Sequence, residues 1–91
     1  MPDEDDDDPR LAAGRRELGA QLRRVREHQD LLLRHVAAEV GTTVGYLSDI
    51  ERGVRLPSLP VLLRLADTYG VLLVELFVDV YPWGTRTSPR S

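Results

Sequence analysis

Few residues in this 91-residue chain carry side chains suited to chemistry on a substrate. There is no cysteine, which removes disulfide frameworks, thiolate zinc sites and thiol catalysis. The only two histidines, His28 and His35, stand seven apart, and no cysteine or carboxylate cluster completes a metal site around them. Ser48 and His35 offer a nucleophile and a base, but nothing supplies an orienting acid or an oxyanion hole. The expectation is no enzyme, no metal and no cofactor.

Arginine is the remaining reactive type. All 12 basic residues are arginine and none is lysine. Its planar guanidinium fork suits phosphate and guanine recognition, although a GC-rich coding sequence produces the same bias. The net charge of −3 opposes nucleic-acid binding until its distribution is considered. Six of the 15 acids form one run, Asp3, Glu4, Asp5, Asp6, Asp7 and Asp8, and the rest of the chain holds 12 basic against 9 acidic residues.

These side chains must be positioned by helices. Residues 1–10, charged and flanked by Pro2 and Pro9, read as a disordered acidic tail. Leu11, Leu18, Leu22 and Val25 then repeat at helical spacing, with Gly14 and Gly19 weakening the helix slightly. Asp30 offers a cap before Leu31, Leu32, Leu33, Val36, Ala37 and Val40, a second and shorter helix that Gly41 ends. Thr42 and Thr43 both suit the N-cap of a third helix, about Val44 to Glu51, with Val44, Leu47 and Ile50 as its apolar face and Gly53 as its stop. Ser58 and Pro60 open a fourth helix with Leu59, Leu62, Leu63, Ala66 and Tyr69 inward, closed by Gly70. A fifth runs from about Leu73 to Val78 with Leu76 and Phe77 inward. The chain so divides into the tail, a domain over 11–79, and an extension over 80–91.

Two short helices joined by a glycine-containing turn form the pattern in which the second helix enters the DNA major groove. Ala37 is small where that helix crosses close above it, Gly41 permits the sharp reversal, and Leu47 and Ile50 anchor the second helix while its other face stays free. Leu18 to Phe77 resembles the lambda-repressor/Cro-like, or XRE-type, helix-turn-helix family. The resemblance rests on Leu22, Arg26, Val36-Ala37, Gly41, the string Tyr46-Leu47-Ser48-Asp49-Ile50-Glu51-Arg52-Gly53, Pro57-Ser58-Leu59, Leu62, Leu65-Ala66, Gly70-Val71 and Leu76-Phe77. It implies an all-α, five-helix lambda-repressor-like fold that binds double-stranded DNA, usually as a homodimer on pseudo-palindromic sites. By position it implies base contacts from Thr43, Val44, Gly45, Tyr46 and Asp49, and phosphate contacts from Thr42, Ser48, Arg52 and Arg55. It also implies a structural salt bridge between Arg26 and Glu51.

The chain departs from the family pattern in several places. Leu32 and Leu33 stand where a polar cap and a glutamine often open the second helix, and Leu72 replaces a polar cap before the fifth. These leucines either extend the core or enlarge a partner-facing surface. Tyr46 and Val44 suit thymine methyls, and Asp49 suits cytosine N4, but Tyr46 equally suits packing beside Leu22 and Asp49 a surface salt bridge. No guanine-reading arginine lies on the third helix, which points toward DNA shape as a source of specificity. The acidic tail either competes with DNA for the arginines or simply solubilises the chain. Val80, Tyr81 and Trp83 either form a dimer contact or fold back over the first helix.

The expected function is a sequence-specific transcriptional regulator in the cytoplasm, with no membrane association. The alternative is an antitoxin or protein-binding adaptor of the same fold.

Overall fold

The computed structural model describes residues 8–78 as four α-helices and one single-turn 3-10 helix, with no strand among the described residues. The helices are α1 (Pro9–His28), α2 (Leu33–Val40), α3 (Val44–Glu51) and α4 (Leu59–Tyr69), followed by the 3-10 turn Leu73–Leu76. The expected count of five is therefore corrected to four. The segment Val71-Leu72-Leu73-Val74-Glu75-Leu76 has no period of 3.6 to sustain a longer α-helix, and the tighter turn closes after four residues. Residues 1–7 and 79–91, with most of the acidic run and the whole C-terminal extension, lie outside the described residues.

Helix α1 begins two residues earlier than its apolar pattern indicates. Asp8 accepts the Arg10 amide at 2.9 Å and Pro9 occupies the first turn, where its missing N–H costs nothing. Asp30 does not cap α2 as expected. It takes a positive φ of 57° while its amide reaches Glu27 O and the Leu31 amide reaches Arg26 O, a left-handed closure that ends α1. The α2 N-cap is Leu32, which offers no side-chain acceptor.

The core is one cluster drawn from every element. Leu22, Val25, Val36, Ile50, Leu65 and Leu76 are its fully buried members, each worth about 1.5–3 kcal/mol of burial. Helix α1 packs on α3, α2 on both α3 and α4, and the 3-10 turn on α1 and α4.

Four inward expectations are corrected. Val44 is exposed, because α3 meets α1 at its C-terminal end and its first turn projects beyond that contact. Leu59 and Leu63 are exposed while Val61 and Leu65 are buried. The buried stripe of α4 is Val61, Leu62, Leu65, Ala66 and Tyr69, and at ~100° per residue Leu59 and Leu63 fall roughly 90° and 130° from its centre. Phe77 follows the 3-10 turn and points outward, leaving Leu76 to fill the core.

Candidate nucleic-acid interface

The turn between α2 and α3 is set by Gly41, at φ 81°, with the amides of Gly41 and Thr42 both donating to Ala37 O at 2.9 Å. Only a residue without Cβ adopts this backbone at no steric cost. The next residue but one starts α3: Thr43 Oγ1 accepts the Tyr46 amide at 3.0 Å. Helix α3 thereby stands against α2, with Leu47 and Ile50 buried and Thr43, Val44 and Gly45 exposed.

From behind, α3 is held by α1. A Cβ on Gly19 would overlap Ile50 O and lie 2.7 Å from Glu51 O, so the two helices touch backbone to backbone. Arg26 clamps the same end, with Nε 2.8 Å from Glu51 Oε2 and Nη2 2.9 Å from Oε1, while its Nη1 donates to Leu31 O at 2.9 Å. Both side chains are largely buried, at 13% and 9% exposure. The pair raises the Arg26 pKa chiefly through the hydrogen bond to Glu51, and one guanidinium ties α1 to α3 and to the α1–α2 loop. Tyr69 of α4 adjoins these charges. Burial pushes its phenol well above the usual value of 10, with the Glu51 charge adding to the rise and Arg26 opposing it.

Past Glu51 the chain reverses at Gly53, φ 79°, where the Val54 and Arg55 amides return to Asp49 O at 2.9 and 3.3 Å. This reversal lays Arg55 alongside α3, its guanidinium carbon 5.4 Å from the centre of the Tyr46 ring. Asp49 sits between two arginines: Arg52 Nη2 donates to its Oδ1, and Arg55 Nε lies 3.9 Å from its Oδ2. Arg52 Nε also donates to Ser48 Oγ at 3.5 Å. Of the nine positions that the resemblance assigns to DNA, Thr43, Val44, Gly45, Tyr46 and Asp49 run along α3 or cap it. Thr42, Ser48, Arg52 and Arg55 flank them. Tyr46 is half-buried against the core cluster, with Arg55 over its ring.

The helix-turn-helix domain family matches residues 17–76. The chain belongs to this family. Over 68 residues this helix-turn-helix chain is 40% identical to the HTH-type transcriptional regulator DdrOP3 of Deinococcus deserti, covering 75% of the chain and 53% of that protein. It thus spans about half the length of that relative. Over 74 residues it is 39% identical to the HTH-type transcriptional regulator y4dJ of Sinorhizobium fredii, covering 79% of the chain and 96% of that protein. Among solved structures it resembles the restriction-modification controller protein C.AhdI from Aeromonas hydrophila, with a TM-score of 0.69 and 32% identity over 71% of this chain and 98% of that one. It also resembles the clp gene regulator ClgR from Corynebacterium glutamicum, with a TM-score of 0.66 and 32% identity over 68% and 66% of the two chains.

Sequence reasoning missed three parts of this arrangement. Gly19 reads only as a weak spot in α1. Gln21, on the opposite flank of α1, is buried and donates from Nε2 to Glu75 O at 3.3 Å and to Val78 O, while its Oε1 accepts from Arg24 at 2.7 Å. The sole signal for it is a polar residue directly beside Leu22. The stacking of Arg55 on Tyr46 depends on the Gly53 reversal, which spacing alone does not reveal.

His28 and His35 are both exposed, and no group of three potential metal ligands occurs among the described residues. No described helix is long and apolar enough to cross a membrane.

Proposed function

We propose that this domain is a sequence-specific transcriptional regulator that inserts α3 into the DNA major groove, as one half of a homodimer in the cytoplasm. The observation that carries the reading is the two-sided construction of α3. One side is fixed to α1 by Gly19 and the Arg26–Glu51 pair, and the other presents Thr43, Val44, Gly45 and Tyr46 with Arg52 and Arg55 at its end. In this role Val44 and Tyr46 meet thymine methyls, Gly45 allows close approach, and Asp49 accepts from cytosine while remaining bonded to Arg52. Thr42, Ser48, Arg52 and Arg55 contact phosphates, and two copies place their α3 helices about one DNA turn, ~34 Å, apart.

The test is fluorescence anisotropy of the purified chain against DNA fragments from the vicinity of its own gene, across a range of salt. Binding is expected to weaken steeply with salt, and Arg52→Ala and Arg55→Ala are each expected to reduce the logarithmic salt slope by about 1. Absence of salt-sensitive binding to any fragment overturns the proposal.

A second reading, as an adaptor or antitoxin for a protein partner, draws on the exposed leucines that replace polar caps, Leu32 at 47% and Leu72 at 57% exposure. Co-purification with a tightly bound toxin, together with failure of the DNA assay, favours it.

A further inference from the structure

Helix α1 begins at Pro9, whereas the helix-turn-helix match opens at residue 17. The stretch Pro9–Arg16 is therefore about two turns, ~12 Å, of helix ahead of the matched region. Its last residue lies against the chain that leaves α3. A Cβ on Gly53 would lie 2.8 Å from Arg16 Cα and 2.9 Å from Arg16 Cγ, so the α1 backbone closes directly on the reversal that follows Arg52. A glycine permits that approach because no side chain stands between the two backbones. Arg16 is exposed and stands beside the segment that carries Arg52 and Arg55, both also exposed.

The arginines of α1 differ in what they bond. Arg10 pairs with Asp8, Arg23 with Glu27 and Arg26 with Glu51, and Arg24 donates to Gln21 Oε1. The side chains of Arg15 and Arg16 make no hydrogen bond or ion pair among the described residues, and Arg15 Nε is buried without an acceptor. The two unpaired charges of this helix are thus the two nearest the end of α3. The face around Arg16 is also bare. At ~100° per residue, Ala12, Ala13 and Ala20 fall within about 60° of it, and the acid on that side, Glu27, is already bonded to Arg23. A cation bordered by methyl groups, with no carboxylate beside it, is open to a broad polyanion.

We propose that Arg16 binds a phosphate of the DNA strand that Arg52 and Arg55 meet, so that the contact surface extends from α3 onto α1. The inference rests on the reading of α3 as a major-groove helix. In that docking the Gly53 reversal lies where the chain leaves the groove, and arginines on either side of it face the same sugar–phosphate wall. Arg52 and Arg55 share the Asp49 carboxylate, whereas Arg16 has no resident acid to give up. Its guanidinium offers two parallel donors to one phosphate, and the neighbouring charge of Arg15 strengthens the local field. Such a contact fixes position along the duplex and carries no base preference.

The test uses the full chain in the anisotropy assay, against the tightest-binding fragment and an unrelated duplex of equal length. Arg16→Gln keeps the methylenes that rest on Gly53 and removes the charge, and its helical circular dichroism is expected to match the parent. It is expected to lower the logarithmic salt slope by about 0.9, so that the affinity lost between roughly 50 and 200 mM salt shrinks about 3.5-fold. Both duplexes should lose affinity by the same factor, as a phosphate contact requires. Arg16→Lys is expected to restore the slope, and Arg24→Gln, on the flank of α1 next to the 3-10 turn, to leave it unchanged. An unchanged slope in Arg16→Gln, while Arg52→Ala lowers it, overturns this inference and leaves the reading of α3 intact. A loss confined to one duplex, or a slope that Arg16→Lys fails to restore, overturns it too. Absence of salt-sensitive binding by the parent chain overturns both.

Discussion

On one flank of α1, Gly19 meets the α3 backbone directly and Arg26 closes a bidentate pair with Glu51. On the other, Gln21 holds the 3-10 turn through two carbonyl oxygens while Leu72, Val74 and Phe77 face outward. The first joint leaves no room and neither Arg26 nor Glu51 unpaired, and it fixes α3, the helix proposed to meet DNA. The second is bonded through Gln21 and packed through Leu76, with its outer face open. Within one small core, packing is tightest behind α3, and the remaining end carries an exposed leucine at the N-cap of the 3-10 turn, where the Glu75 carboxylate accepts the Leu72 amide at 2.8 Å.

The largest test of this contrast is Gly19→Ala. Helix propensity gains about 1 kcal/mol, but the new methyl collides with two main-chain carbonyls that no rotamer change can move. A net loss of about 3 kcal/mol or more is expected in urea denaturation, and a variant as stable as the parent breaks the description of the joint. Next, Glu51→Ala strands a largely buried guanidinium and is expected to cost about 3 kcal/mol, whereas the double substitution Arg26→Met with Glu51→Met recovers most of that loss.

Tyr69 gives a smaller effect at the same joint. Its folded pKa lies above the ordinary value, so between the two the folded state keeps a proton that the unfolded state has lost. Stability is therefore unaffected well below pH 10 and falls as pH rises past it, by up to about 1.4 kcal/mol per pH unit. Denaturation at several alkaline pH values measures this slope, and Tyr69→Phe should flatten it.

The smallest effect belongs to the looser flank. Leu72 holds the N-cap position of the 3-10 turn without an acceptor, and Leu72→Ser should add about 0.5–1 kcal/mol. The gain sharpens the contrast, because no comparable improvement is available at Gly19.

The same contrast governs what could be read from sequence. The extent of helix α3 was legible because Thr42 or Thr43 and Gly53 bracket a short run whose buried positions, Leu47 and Ile50, stand three apart, although Val44 read as inward. The pairing of Arg26 with Glu51 came from family resemblance, since residues 25 apart give no periodic signal. The phase of α4 was obscured because Leu59, Val61, Leu62, Leu63 and Leu65 surround the helix with apolar side chains, leaving little to mark the exposed face. The 3-10 turn read as a fifth helix for a related reason, its apolar run having no period to measure. At the candidate interface the positions proposed to meet DNA came from family resemblance, and the placement of Arg55 over Tyr46 had no signal in the sequence. That contact arises from a left-handed backbone at Gly53, whose consequence for the following residues depends on tertiary geometry.

Asp49 carries one last implication. Its carboxylate already serves both Arg52 and Arg55, so the domain brings an internal counter-ion to the surface that would face a polyanion. For the proposed DNA-bound state, a phosphate must displace or share that resident partner rather than merely shed loosely held salt. A duplex that offers a cytosine amine to Asp49 compensates for the exchange, and one that does not leaves the acid facing the backbone. In the proposed complex the same acid would discourage indiscriminate binding at every site and relax that penalty at the right one.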